Sequence, residues 1–99
     1  MYLYLGGSTV VAGRDIIGIF DLDITSQSYR TRRYLSRAER QGEVITVGED
    51  LPKSFVLCQS ARGSRQRVYL AQPASATLAR RLREHDKGPI LKSRRNESR

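Results

Sequence analysis

The chain has no tryptophan, one cysteine, one histidine, one methionine and three prolines in 99 residues. The lone cysteine, Cys58, excludes a disulfide within the chain and a thiolate metal set. It sits in the apolar run Phe55-Val56-Leu57-Cys58, which reads as a buried thiol of a reducing compartment rather than a nucleophile. His85 stands in a polar stretch with no nucleophile or second base near it in pattern, so catalysis has no constellation to rest on. Asp21 and Asp23 lie two apart, but no Glu or His completes a metal set with them. Their ordinary role is to end a strand and favour the next turn. Gly6-Gly7 lacks the Lys and the helix start of a phosphate-binding loop. No apolar stretch approaches membrane-spanning length, and Met-Tyr-Leu-Tyr-Leu has no basic region of a secretory signal. These absences lead us to expect a cytoplasmic protein that is not an enzyme, with no cofactor, no metal, no membrane contact and no small-molecule substrate.

What the chain does have is positive charge. Its formal net charge is +8 and its pI about 10.4. A balance this basic favours a polyanionic partner, and nucleic acid is the commonest one. Fifteen of the 18 basic residues are arginine. The guanidinium fork donates two hydrogen bonds at once to a phosphate and stays charged. The stretch from Lys87 to Arg99 holds five basic residues and one acid, so the tail is more strongly basic than the body.

The longest apolar run is Arg14 to Asp23, containing Ile16, Ile17, Ile19 and Phe20. Its length and β-branched content predict a strand buried on both faces in the middle of a sheet. Gly18 within it marks a close approach or a bulge. Before it, Tyr2 to Leu5 and Thr9 to Ala12 flank Gly6-Gly7-Ser8, the pattern of a hairpin. After it, Thr25 to Ser28 supply helix-capping side chains, and Thr31, Tyr34, Leu35 and Ala38 share one helical face. Arg30, Arg33, Arg37 and Arg40 line the other side, and Gly42 stops the helix. Val44 to Val47, Ser54 to Ser60 and Gln66 to Ala71 predict three further strands, with Arg67 and Tyr69 on the side opposite Val68 and Leu70. Pro73 sits at a first helical position, and Ala74, Leu78 and Leu82 repeat at helical spacing to about Arg83. The tyrosines Tyr2, Tyr4, Tyr29 and Tyr69 are assigned to core or edge packing rather than to stacking on nucleic-acid bases.

The expected fold is therefore α+β. It is a small, mostly antiparallel sheet of about five to six strands, with an amphipathic helix packed on it and a C-terminal helix. One domain spans residues 1–85, and a basic tail, 86–99, is expected to be disordered.

Several segments resemble the RemA/RemB family of small bacterial regulators. These are Met-Tyr-Leu-Tyr-Leu-Gly-Gly at the start, the run from Val10 to Asp21, Asp50-Leu-Pro-Lys-Ser-Phe-Val, Val68-Tyr, and Pro73-Ala-Ser-Ala-Thr-Leu. They occur in order from Met1 to about Arg81. The resemblance implies a DNA-binding regulator of biofilm-matrix genes that assembles into rings of identical subunits. By position, Arg14 matches the family's DNA-contacting arginine ahead of the central strand. The paired arginines of RemA-like proteins fall near Asp50 to Lys53, where only Lys53 is basic and Glu49 and Asp50 add negative charge. That substitution opposes a RemA-like contact at this loop.

Together these readings give double-stranded DNA and a homo-oligomer, ring-like, as the expected partners. Arg14, Lys53, Arg62, Arg65, Arg33 and Arg37 are the expected DNA-binding residues. The alternative is a regulatory protein–protein interaction module that does not bind DNA, favoured by the acidic Glu49-Asp50 loop.

Overall fold

A computed structural model describes residues 1–25, 27–60, 63 and 65–84. The chain opens with a hairpin, β1 (Tyr2–Gly6) and β2 (Thr9–Ala12), paired antiparallel. Gly6 and Gly7 make its turn at φ 131° and 56°, values that L side chains avoid. Alternation then separates the two faces of the hairpin. Leu3, Leu5 and Val11 are buried, while Tyr2, Tyr4 and Val10 face outward.

A short 3₁₀ turn, Gly13–Asp15, follows and redirects the chain into β3 (Ile16–Asp21). A one-turn helix, α1 (Leu22–Thr25), leads to the long helix α2 (Tyr29–Arg40). Ser28 caps α2, its hydroxyl facing the Thr31 N–H at 3.5 Å. Strands β4 (Val44–Thr46), β5 (Ser54–Gln59) and β6 (Gln66–Ala71) complete a four-stranded sheet in the order β3-β5-β6-β4. Residues 75–84 form the C-terminal helix, α3.

The sheet is a filling between two layers. Phe55, Leu57, Val68 and Leu70 face α2, where Tyr34, Leu35 and the buried Ala38 meet them. Val56, Cys58 and Ala71 face the other way, against Leu3, Leu5 and Val11 of the hairpin and Leu78 of α3. The alternation of β5 and β6 between two apolar faces follows from their burial on both sides.

Three expectations change. The strands form two sheets rather than one, because the 3₁₀ turn folds the hairpin over the face of the four-stranded sheet. That sheet is mixed: β3–β5 and β5–β6 are antiparallel, but β4 runs parallel to β6. And β3 is not the central strand. It lies at an edge, with none of its residues fully buried, and β5 and β6 take the centre. A register shift between Ile16 and Gly18 leaves Ile17 unopposed and 55% exposed, so two adjacent isoleucines record a bulge rather than burial on both faces. The predicted C-terminal helix is present but begins after Pro73, with the Ala74 carbonyl accepting from the N–H groups of Thr77 and Leu78. The tail, 86–99, and His85 lie outside the described residues.

Candidate nucleic-acid interface

The start of β3, the end of β5 and the start of β6 meet at one end of the sheet. Cys58 is the cross-strand partner of both Ile16 and Arg67. Strand spacing puts those two neighbours about 10 Å apart. The exposed Arg14 and the half-buried Asp15 occupy the 3₁₀ turn just before Ile16. Arg65 precedes β6, and its Nη2 donates to the Gln41 carbonyl at 2.9 Å, which ties the turn to the end of α2.

A cavity of about 580 Å³ opens here, lined by Asp15, Cys58, Ser60, Arg65, Arg67 and Tyr69 together with β2 residues. Arg14 lines an adjoining cavity of about 420 Å³ with Met1, Tyr2, Gly13 and Leu82. Ala12 is a wall of both. Arg14, Arg65 and Arg67 therefore share one end of the molecule. Arg67 was not among the expected contacts, although its alternation opposite Val68 carried the signal.

The remaining candidates lie elsewhere. Lys53 sits at the far end of the β3–β5 pair, next to the Asp21–Ser54 register. Its backbone is pinned there, donating to the Ala71 carbonyl and accepting from the Leu22 N–H, each at 2.9 Å. Six residues of strand separate it from the Arg14 end, about 20 Å at the usual rise. Arg33 and Arg37 are exposed on α2, on the opposite side of the sheet from the hairpin. Arg33 stands over the Tyr29 ring at 5.7 Å and shares a shallow groove with Arg32, Ser36 and Arg40. Arg62 lies outside the described residues.

Three of the four tyrosines assigned to packing are exposed: Tyr2, Tyr4 and Tyr29. Tyr69 is partly buried against the core, as expected. The fifth tyrosine, Tyr34, donates to Gln66 Oε1 at 2.6 Å and locks α2 to β6. Burial, then the Glu43 charge, raises its pKa above the ordinary phenol value.

Cys58 is pushed up to about 11 by burial, with a smaller push from the Asp15 carboxylate. At neutral pH it is a thiol and a poor nucleophile. Among the described residues no three His, Cys, Asp or Glu side chains gather as a metal site. No described helix is long and apolar enough to cross a membrane. The chemistry offered at the Arg14 end is that of guanidinium groups around open cavities, suited to oxyanions.

Fold and site define a small α+β protein with an arginine-bearing end and no assembled catalytic group among the described residues. No family model matches the chain. It is 32% identical over 81 residues to extracellular matrix regulatory protein B of Bacillus subtilis (strain 168), covering 82% of this chain and 89% of that protein. The chain belongs to the RemB-like family.

Proposed function

We propose that the protein is a cytoplasmic, bacterial regulator of the RemA/RemB type. It acts as a ring-like homo-oligomer that contacts the backbone of double-stranded DNA through arginines, with no enzymatic activity and no cofactor. The observation that carries this reading is the gathering of Arg14, Arg65 and Arg67 at one end of the sheet. The net charge of +8 supports it, as does kinship to a protein named as a regulator of extracellular matrix.

One small domain offers few phosphate contacts and binds DNA weakly, because salt competes for each. Repetition of the Arg14 end around an oligomer multiplies those contacts through effective concentration. Arginines on turns suit backbone contact and the shape of DNA more than the reading of base edges. The test is duplex-DNA affinity as a function of salt. The reading expects a steep decline of affinity with salt; a flat response, or no binding by the intact protein at low salt, sinks it.

A second reading is a protein-interaction module without DNA binding. Its support is Leu51, which is 87% exposed and directly follows Glu49 and Asp50. Recovery of one stoichiometric protein partner by a protein that does not bind DNA would favour it.

A further inference from the structure

The loop between β4 and β5 carries Leu51, the most exposed large apolar side chain of the described residues. The loop is held firmly. The Val47 N–H donates to the Leu70 carbonyl at 2.9 Å, closing its first end. With its amide turned so that the oxygen faces the loop, the orientation that pairs both groups, Gln72 accepts from the N–H groups of Glu49 at 3.0 Å and Asp50 at 2.6 Å. Gly48 has φ +85°, and a Cβ there would meet the Gln72 amide at 2.5 Å. A leucine fixed in water between acids and Lys53 gains an isolated chain nothing. As a binding element it is preorganised, because most of its ordering cost is met before a partner arrives.

The opposite end of the molecule holds a complementary hollow. The cavity of about 420 Å³ is walled by Met1, Tyr2, Ala12, Gly13 and Leu82, with Arg14 among them. The hairpin fixes the distance between knob and hollow. Its turn is next to the loop, since a Cβ on Gly6 would lie 3.5 Å from Val47. Its open end is at the hollow, where the Gly13 N–H donates to the Met1 carbonyl at 2.9 Å. Leu51 therefore cannot reach the hollow of its own chain.

We infer that Leu51 of one copy seats in the Met1–Leu82 hollow of the next, with Glu49 and Asp50 facing the positive charge of Arg14. Apolar knob meets apolar hollow, and acidic flank meets basic rim. The contact is head-to-tail, the kind that closes into a ring when the rotation between copies allows it. It brings Lys53 of one copy to the side of Arg14 of its neighbour, joining basic groups that a single chain holds at opposite ends. The Arg14 charge offsets part of the repulsion that the two carboxylates would exert on phosphate, while Arg67, exposed at the same end, stays open to DNA. The inference rests on the homo-oligomeric reading above and names its seam.

The test uses two surface variants of the full chain, Leu51→Asp and Tyr2→Glu, and the mass of each in solution without DNA. Both positions are more than half exposed, so thermal unfolding checks that each variant keeps its fold. The wild type is expected to assemble and each variant to be monomeric. An equimolar mixture is expected to give dimers and nothing larger, because one variant keeps its hollow and the other its knob. A monomeric wild type, a variant that keeps the wild-type mass, or a mixture that stays monomeric overturns the inference. Duplex DNA is then added to the wild type. Assembly without DNA binding sinks the DNA-binding reading and leaves the seam standing, whereas DNA binding by a monomer sinks the seam and the homo-oligomer with it and leaves the arginine contact standing.

Discussion

The ring of Phe20 lies across the bare backbone of Gly18, so close that a Cβ on Gly18 would meet its Cε2 and Cζ at 2.6 Å. The same ring stacks on Phe55 with centroids 4.9 Å apart. Gly18 is thus required by packing, beside the register shift that leaves Ile17 unopposed. Gly18→Ala forces the Phe20 ring off Phe55 or bends the edge strand. Overpacking of this kind costs about 1–3 kcal/mol. Chemical denaturation should show a lower midpoint with an unchanged slope.

That strand also shows where the sequence is legible and where it is not. Local signals held: Gly6-Gly7 gave the hairpin, Ser28 and the Tyr34-Leu35-Ala38 stripe gave α2, and Leu78 with Leu82 gave the C-terminal helix. These are contacts within a few residues, which pattern encodes directly. The place of Ile16 to Phe20 in the sheet is decided instead by which strands pair over long separations. An apolar run reads the same whether it is buried on both faces or bulged at an edge. The parallel pairing of β4 with β6 leaves no local mark at all. At the site, the sequence named Arg14 and Arg65 and set Arg67 beside Arg65, but not that this pair meets Arg14 or that Lys53 stands apart. Both facts depend on the β3-β5-β6 register.

Ser54 is the largest test of a buried polar group in the fold. Its side chain is fully buried, and its hydroxyl donates to the Pro73 carbonyl at 2.8 Å. This bond fastens the start of β5 to the turn that leads into α3. Ser54→Ala removes the donor and leaves the carbonyl short of a partner, at a cost of about 1–3 kcal/mol. The measurement is the urea midpoint. A change below a few tenths of a kcal/mol would mean that another group satisfies Pro73.

Cys58 makes a prediction about alkaline pH. Burial, helped by the Asp15 carboxylate, pushes its folded pKa from the ordinary thiol range up to about 11. The folded state therefore holds the proton more tightly than the unfolded chain. Stability is full below about pH 9 and falls as pH rises through 11, because the unfolded thiol ionises first. Tyr34, raised in the same direction, adds to the loss. Cys58→Ala should flatten the pH 9–11 part of the stability profile without abolishing it. Thiol labelling of the native wild type at pH 8 should be slow and should speed up on unfolding.

The last prediction separates the two arginine surfaces. Arg14 and Arg67 stand at the cavity-lined end of the sheet, whereas Arg33 and Arg37 stand on α2, across the sheet from the hairpin. A rigid duplex approaching the Arg14 end of one domain does not also cover the face of α2. Each arginine lost from the contacted surface lowers the slope of log affinity against log salt by about 0.9 per phosphate contact removed. Arg14→Ala and Arg67→Ala should weaken duplex binding and flatten that slope. Arg33→Ala and Arg37→Ala lose the same formal charge, so they control for the general effect of net charge on a polyanion. They should shift affinity only slightly and leave the slope near wild type. If the α2 variants instead show the larger loss, the DNA-contacting surface is the helix face, and the end of the sheet is free for the contact between copies alone.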